Sequence, residues 1–307
     1  NRLSGTVDYF NKVSENILLE VAPVDPIQPT SKYWTNIPNM QIKNNGIEVA
    51  LDYSSDKSRD FSYSIGGNIS FTDNKVVNSP YKILTTGGAQ GGGQSGATIN
   101  GVINGQPIGS FYMLDFIGIG PDGLNQFADT NGDGKILDDD RIVAGSALPD
   151  YIYAFYLNFK YKNFDLGVNF NGAGGNKIYN HVAMSSFNRG QLANSFNTTD
   201  RASQYLNEAS TNSNTVSTRY LEDGSYLRLN NATLGYNLRP KMIGLDNVMD
   251  NIRLSITGQN LFVITKYSGY DPEINTGTSV GDIQSFGIDY FSYPRSRTVL
   301  FGLNVAF

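Results

Sequence analysis

Alternation of apolar and polar residues, sustained over nine to twelve positions at a time, constrains this chain more than any other feature. A period of two sends successive side chains to opposite faces of an extended strand. From 153 to 161 the odd positions carry Tyr153, Phe155, Leu157, Phe159 and Tyr161, over Ala154, Tyr156, Asn158 and Lys160. After Lys162 and Asn163 the pattern restarts with Phe164, Leu166, Val168 and Phe170, interleaved with Asp165, Gly167, Asn169 and Asn171. That is a hairpin with one apolar face. Phe61, Tyr63, Ile65, Gly67, Ile69 and Phe71 run over Ser62, Ser64, Gly66, Asn68 and Ser70 in the same way, and Ile47, Val49, Leu51 and Tyr53 precede them. Ile252, Leu254 and Ile256 mark another strand, and Val299, Phe301, Leu303, Val305 and Phe307 the last. Two signals are weaker. Leu3, Val7 and Tyr9 mark a strand near the start, and from 225 to 238 the phase slips from Leu227 and Leu229 to Ala232, Leu234, Tyr236 and Leu238. An extra residue at Asn230 or Asn231 restores the face, as a β-bulge does. The count is eight strands.

These alternations are nearly twice the length of an average strand of about 5–6 residues, and they match the roughly 9–11 residues a tilted strand needs to cross a bilayer. Their connections alternate in length: short after Tyr53, Tyr161 and Leu238, long over 12–41, 72–150, 174–221 and 265–295. Ordinary connections run about 4–6 residues. Short periplasmic turns alternating with long extracellular loops are the pattern of an outer-membrane barrel. Aromatic residues gather at strand ends (Tyr53, Phe61, Phe71, Tyr153, Tyr161, Phe164, Phe170), where interfacial girdles sit. No 18-residue apolar run is present and mean hydropathy is −0.30, but alternating strands hide from hydropathy. The expectation is an all-β, antiparallel transmembrane β-barrel segment with long extracellular loops, multi-pass in a bacterial outer membrane. A soluble β-sandwich is the competing reading.

Composition removes other classes. Lys and Arg number 23 against 28 Asp and Glu, a net charge of −5, which leaves no basic face for nucleic acid. The chain has 0 cysteines and a single histidine, His181, so disulfide scaffolds, thiolate metal sites and cysteine catalysis are excluded. No acid/base pair or nucleophile arrangement stands above background, and no enzyme activity is expected.

Three stretches resemble the C-terminal part of the SusC/RagA family of TonB-dependent outer-membrane transporters of Bacteroidetes-type bacteria. The first is Asp223-Gly224-Ser225-Tyr226-Leu227-Arg228-Leu229 with Leu234-Gly235-Tyr236. The second is Gly258-Gln259-Asn260-Leu261-Phe262, followed by Thr265-Lys266-Tyr267-Ser268-Gly269-Tyr270-Asp271-Pro272-Glu273. The third is Tyr293-Pro294, leading into the terminal strand. The resemblance implies a barrel of about 22 strands with a plugged lumen, of which residues 1–307 would be the C-terminal part, with plug and earlier strands lying outside this sequence. It further implies import of oligosaccharides or peptides, energy from TonB through the N-terminal part, and a SusD-like surface lipoprotein as lid. The closing strand that ends in Phe307 fits a signal to the barrel-assembly machinery. The alternative is a self-contained eight-stranded barrel with a structural or adhesive role.

One constellation carries site chemistry. In Asp129-Thr130-Asn131-Gly132-Asp133-Gly134-Lys135-Ile136-Leu137-Asp138-Asp139-Asp140, oxygen side chains occupy loop positions 1, 3 and 5 (Asp129, Asn131, Asp133). Gly134 permits the sharp turn at position 6, Lys135 offers its carbonyl, and Asp140 stands at position 12. An all-oxygen set suits a hard cation, so structural calcium is expected. A solvated acidic loop held by Asx turns is the other reading. The Gly87–Gly93 run reads as a loop without phosphate-binding context, His181 as polar surface, and the N-x-[ST] matches at Asn68, Asn197 and Asn231 as chance.

Overall fold

The computed structural model describes residues 2–21, 33–56, 60–89, 96–187, 189, 206–245, 247–274, 279–280 and 283–307. Eight long antiparallel strands form one sheet: β1 (Leu3–Glu15), β2 (Gln41–Ser54), β3 (Phe61–Val77), β4 (Tyr151–Tyr161), β5 (Phe164–Gly174), β6 (Tyr226–Leu238), β7 (Asn251–Thr265) and β8 (Thr298–Ala306). Each pairs with its sequence neighbour, in the order β1 to β8. No pairing joins β1 to β8 among the described residues, so the sheet is open at both edges. A closed eight-stranded barrel would pair them.

Register carries the alternation across the sheet. Leu157 stands opposite Ile65 and Val168, and Asn158 opposite Ser64 and Gly167. One face is therefore apolar throughout and the other small or polar. On the apolar face Phe155 stacks on Phe170 with centroids 4.6 Å apart, and Phe164 meets Tyr236 at 4.7 Å. Among the described residues nothing covers it: Val7, Leu51, Phe301 and Leu303 are 74%, 57%, 83% and 68% exposed. On the polar face side chains bond across strands. Asn169 donates to Asn231 at 2.8 Å, the Thr233 and Thr257 hydroxyls are hydrogen-bonded at 2.8 Å, and Arg253 pairs with Asp165 at 2.5 Å. Tyr156 crosses Gly66, which has no side chain to block it, and donates to Asp52 two strands away at 2.6 Å.

Aromatic contacts mark both ends of the apolar face: Tyr53–Tyr63 and Phe61–Phe159 at the short-turn end, Phe71–Tyr151 at the other. From Phe61 to Phe71 the strand covers about 33 Å, or about 25 Å along the normal at a tilt near 40°, the height of an outer-membrane apolar band. β3, at 17 residues, continues past it into the loops. Strand length beyond that band was not readable, because Thr72-Asp73-Asn74-Lys75 is polar on both faces.

The phase slip resolves as expected, on Asn230: Asn231 pairs with Asn169 while Leu229 pairs with Phe170. Beside it, β7 bulges further, since Asn231 faces Gln259 but Leu229 faces Phe262. Asn260, with a φ of 52°, turns the extra residues. Two inserted residues leave parity intact, so this bulge has no period-two signature.

The core lies mainly in the long connections. Residues 78–150 carry a four-stranded sheet in the order Ile142–Ser146, Ser110–Met113, Thr98–Ile103, Ile83–Gly88, plus the pair Phe116–Ile119 and Asn125–Phe127. Residues 175–225 add the pair Lys177–Tyr179 and Leu221–Asp223 and a short helix, His181–Ser186, capped by the Asn180 side chain. Ile99, Phe111 and Met113 from the first of these connections pack with Tyr179, Met184 and Tyr220 from the second and Ile288 from the last. Leu19, Ile37, Met40, Val76 and Val102 make a second cluster.

Candidate functional site

The three motif stretches converge where β6 and β7 meet the loops. Arg228 stands in register with Asn171, on the polar face. It is 3% exposed and bonds Asp271 through Nη2 and Glu273 through Nε, both at 2.5 Å. Arg295, just after Tyr293-Pro294, lies 3.4 Å from Glu273 and 4.0 Å from Asp271. Two cations thus meet two carboxylates. The Glu273 N–H donates to Asp271, and Asn171 donates to the Tyr226 hydroxyl beside them. Buried charges persist only when paired and bonded in this way.

The segment leading to Asp271 is held as closely. Ser268 donates to Glu222 from its N–H at 2.7 Å and from its hydroxyl at 2.8 Å, and the buried Tyr267 hydroxyl donates to buried Asp289 at 2.5 Å. Burial, and then that carboxylate, push the Tyr267 phenol far above its ordinary value. Neighbouring loops are tied to each other too. Arg219 pairs with Glu208, both nearly inaccessible, at 2.7 Å, and Asn125 and Asn212 exchange hydrogen bonds at 2.9 and 3.1 Å. Burial raises the Glu208 carboxyl, but the bonds from Arg219 and Asn212 outweigh it and leave the group below its usual range.

In the 129–140 loop, Asp129 accepts from the N–H groups of Gly132 and Gly134 at 2.7 and 2.8 Å. Asn131 accepts from Asp133 N–H at 2.9 Å and Asp133 from Lys135 N–H at 2.8 Å. Gly132 and Gly134 supply the positive φ, 75° and 81°, that such winding needs. Asp140 is fully buried and accepts from the N–H of Thr130 at 2.8 Å, Asn131 at 3.4 Å and Leu137 at 2.9 Å. Led by the Leu137 bond, these donors hold its carboxyl below the usual range. These bonds wind residues 129–140 into a compact turn that Asp140 clasps. Among the described residues no three His, Cys, Asp or Glu groups converge as a ready-made metal cage. Each oxygen that accepts one N–H keeps a second lone pair, so the donor set fits a hard cation chemically.

On the polar face at the short-turn end lies a trough of about 1010 Å³, with Ser62, Ser64, Asn158, Gly167 and the Asp165–Arg253 pair in its walls. Small and hydrogen-bonding side chains make this surface suited to water and polar solutes.

No protein-family profile matches the chain. TonB-dependent receptor P3 of Formosa agariphila is 30% identical over 332 residues, covering 100% of this chain and 32% of that protein. TonB-dependent receptor SusC of Bacteroides thetaiotaomicron is 24% identical over 317 residues, covering 100% of this chain and 30% of its own length. This chain is a partial SusC/RagA-like segment. The RagAB peptide transporter superposes with a TM-score of 0.79 at 22% identity, over 100% of this chain and 33% of the RagAB chain. The SusC/RagA-like segment therefore shares that fold and spans about a third of the length of these relatives. They are receptors and a transporter by name.

Some single-residue readings change. His181 is not polar surface: it is 1% exposed, begins the short helix and stacks on Tyr290 at 4.2 Å. The loop around it folds into a core, which sequence pattern did not show. Gly87–Ala89 belong to a strand end at the loop core, while Gln90–Gly93 and Asn197 lie outside the described residues. Asn68 and Asn231 sit on the polar face of β3 and β6. The Arg219–Glu208 and Tyr267–Asp289 pairs were missed, having no local spacing to announce them.

Proposed function

We propose that residues 1–307 are the C-terminal part of the barrel wall of an outer-membrane importer of oligosaccharides or peptides, energised through TonB and working with a SusD-like surface lipoprotein. The observation that carries this reading is the open eight-stranded sheet, apolar on one face and polar on the other. In hydrocarbon an unpaired strand edge leaves backbone groups unsatisfied at several kcal/mol each. β1 and β8 each need a partner strand, and further strands of a barrel of about 22 supply both. The apolar face then meets lipid and the polar face lines the lumen. β8, ending beside the exposed Phe307, is the strand offered to the barrel-assembly machinery.

What supports an importer over a simple pore is the likeness to TonB-dependent receptors along the whole segment. The test uses the full-length protein in an outer membrane with and without TonB, and with and without the neighbouring lipoprotein. Uptake of a labelled oligosaccharide or peptide pool should vanish without TonB. Undiminished uptake would overturn the reading.

Calcium in the 129–140 loop is the second part of the proposal. Asp129, Asn131, Asp133, the Lys135 carbonyl and Asp140 would hold it, and its role would be to stiffen a long loop. An ion on the Asp140 carboxylate competes with its N–H donors for the same oxygens, so calcium should alter hydrogen exchange at Thr130, Asn131 and Leu137. Unchanged exchange on adding calcium would remove the site.

A further inference from the structure

The fourth long connection, 266–297, begins by turning back toward the sheet. Its first nine residues fold back over the polar face, because Arg228 and Tyr226 stand on that face and Asp271 and Glu273 reach them there. Asn171, next to Arg228 in register, faces the same way as Asn169 and Asp165. Arg228 ends up 3% exposed under the returning chain. The same nine residues are fixed at two further points, Ser268 on Glu222 and Tyr267 on Asp289. A connection of this length with no such ties would sample many conformations. Three ties in seven residues, one of them a four-charge cluster in which Arg228 and Asp271 are buried, confine residues 266–274 to one.

We propose that Arg228 is the post of a strap, residues 266–274, that sets how large a solute can reach the polar face from the loop side. The proposal rests on the importer reading only for calling that solute cargo; the strap and its size limit are properties of this chain. Arg228 touches no cargo in this account. It positions the strap, and through the strap it determines size selectivity. Burial matters to the assignment. An exposed ion pair contributes little and is screened by salt, whereas losing one partner of a buried pair leaves a charge uncompensated. Removing Arg228 leaves Asp271 and Glu273 facing each other with only Arg295 between them, and both gain by moving into water. The strap then lifts.

The natural chain has 0 cysteines, which permits a direct test. In the full-length protein, with any other cysteine removed, Asn171→Cys places one thiol beside Arg228 on the polar face. Its labelling rate is measured with N-ethylmaleimide and with a polyethylene-glycol maleimide too bulky to pass under the strap. With Arg228 in place the small reagent should react readily and the large one slowly. Arg228→Met should speed the large reagent by roughly tenfold or more, a change corresponding to loss of one charged contact, and leave the small one nearly unchanged. Glu273→Gln, which keeps size and shape, should give a smaller rise in the same direction and serves if Arg228→Met does not assemble. Arg228→Lys should restore part of the restriction. Equal acceleration of both reagents would mean general loosening, and no acceleration of the large one would mean that the strap limits nothing. Either result overturns the proposal. Loss of TonB-dependent uptake with the size restriction intact would count against the importer reading alone.

Discussion

The sheet and the loop layer obey opposite rules of burial within one chain. In the sheet, large apolar residues such as Val7, Leu51 and Phe301 stand exposed, and the polar side chains bond one another. In the loop layer Phe111, Met113 and Tyr179 are fully buried, and charged pairs such as Arg219–Glu208 lie beneath the surface. The difference teaches what each region has for a solvent. A sheet whose apolar face meets lipid needs no core, because its backbone is satisfied by strand pairing and hydrocarbon replaces packing. Loops in water gain nothing from lipid and must bury apolar side chains against one another. On the proposed reading, the connections are a small water-facing body carried on a barrel wall.

The largest expected effect separates the two regions. Phe111→Ala removes a fully buried ring and should cost about 3–5 kcal/mol, confined to the loops. Limited proteolysis of the intact protein should show cleavage in 78–150 while the barrel remains heat-modifiable. Loss of both together would mean that the regions are not separable.

A comparable effect should appear on the sheet with its sign set by face. Leu157→Arg puts a cation on the apolar face and should cost about 2–4 kcal/mol near the middle of the bilayer. Asn158→Arg, one residue away on the polar face, should fold nearly as well as the natural protein in a lipid-vesicle folding assay. Equal behaviour of the two would break the assignment of faces.

Acid should sharpen the contrast. Asp140 and Glu208 both have carboxyls held below the ordinary range by their hydrogen bonds. A depressed folded pKa contributes stability that is complete above the unfolded value, near 4, and is lost as pH falls through the folded one. Hydrogen exchange in 129–140 and 206–219 should therefore quicken below about pH 4, while β4 and β5 stay protected. The reverse order would contradict the account.

The smallest effect concerns the 129–140 loop. Wild type should take up calcium and the Asp129→Ala, Asp133→Ala double variant should not, with little change in overall stability. Equal uptake would remove calcium from the account.

How much of this was legible follows from the same contrast. β4 and β5 could be read residue by residue, since Tyr153 to Phe170 keep period two with the apolar residues on one face. The Asn230 bulge was legible because one inserted residue reverses parity, whereas the two inserted at Asn260 in β7 preserve it and passed unseen. The loop layer was opaque. Its strands are short, and Thr98–Ile103 is buried although it reads Thr-Ile-Asn-Gly-Val-Ile, with no apolar run to signal a core. Arg228, Asp271 and Glu273 could be seen as parts of motifs, but their mutual contact is tertiary and no spacing encodes it.

The most direct test of the central claim is a nitroxide scan along β4. With 0 natural cysteines in this segment, single cysteines at 153 to 160 in the full-length protein can each be spin-labelled in lipid vesicles. Collision rates with oxygen, which partitions into lipid, and with a water-soluble nickel chelate are then compared. Labels at Tyr153, Phe155, Leu157 and Phe159 should favour oxygen, and those at Ala154, Tyr156, Asn158 and Lys160 the chelate, alternating at every step. A scan with no alternation, or with all eight positions open to the chelate, would contradict a sheet that meets lipid on one face and an aqueous lumen on the other.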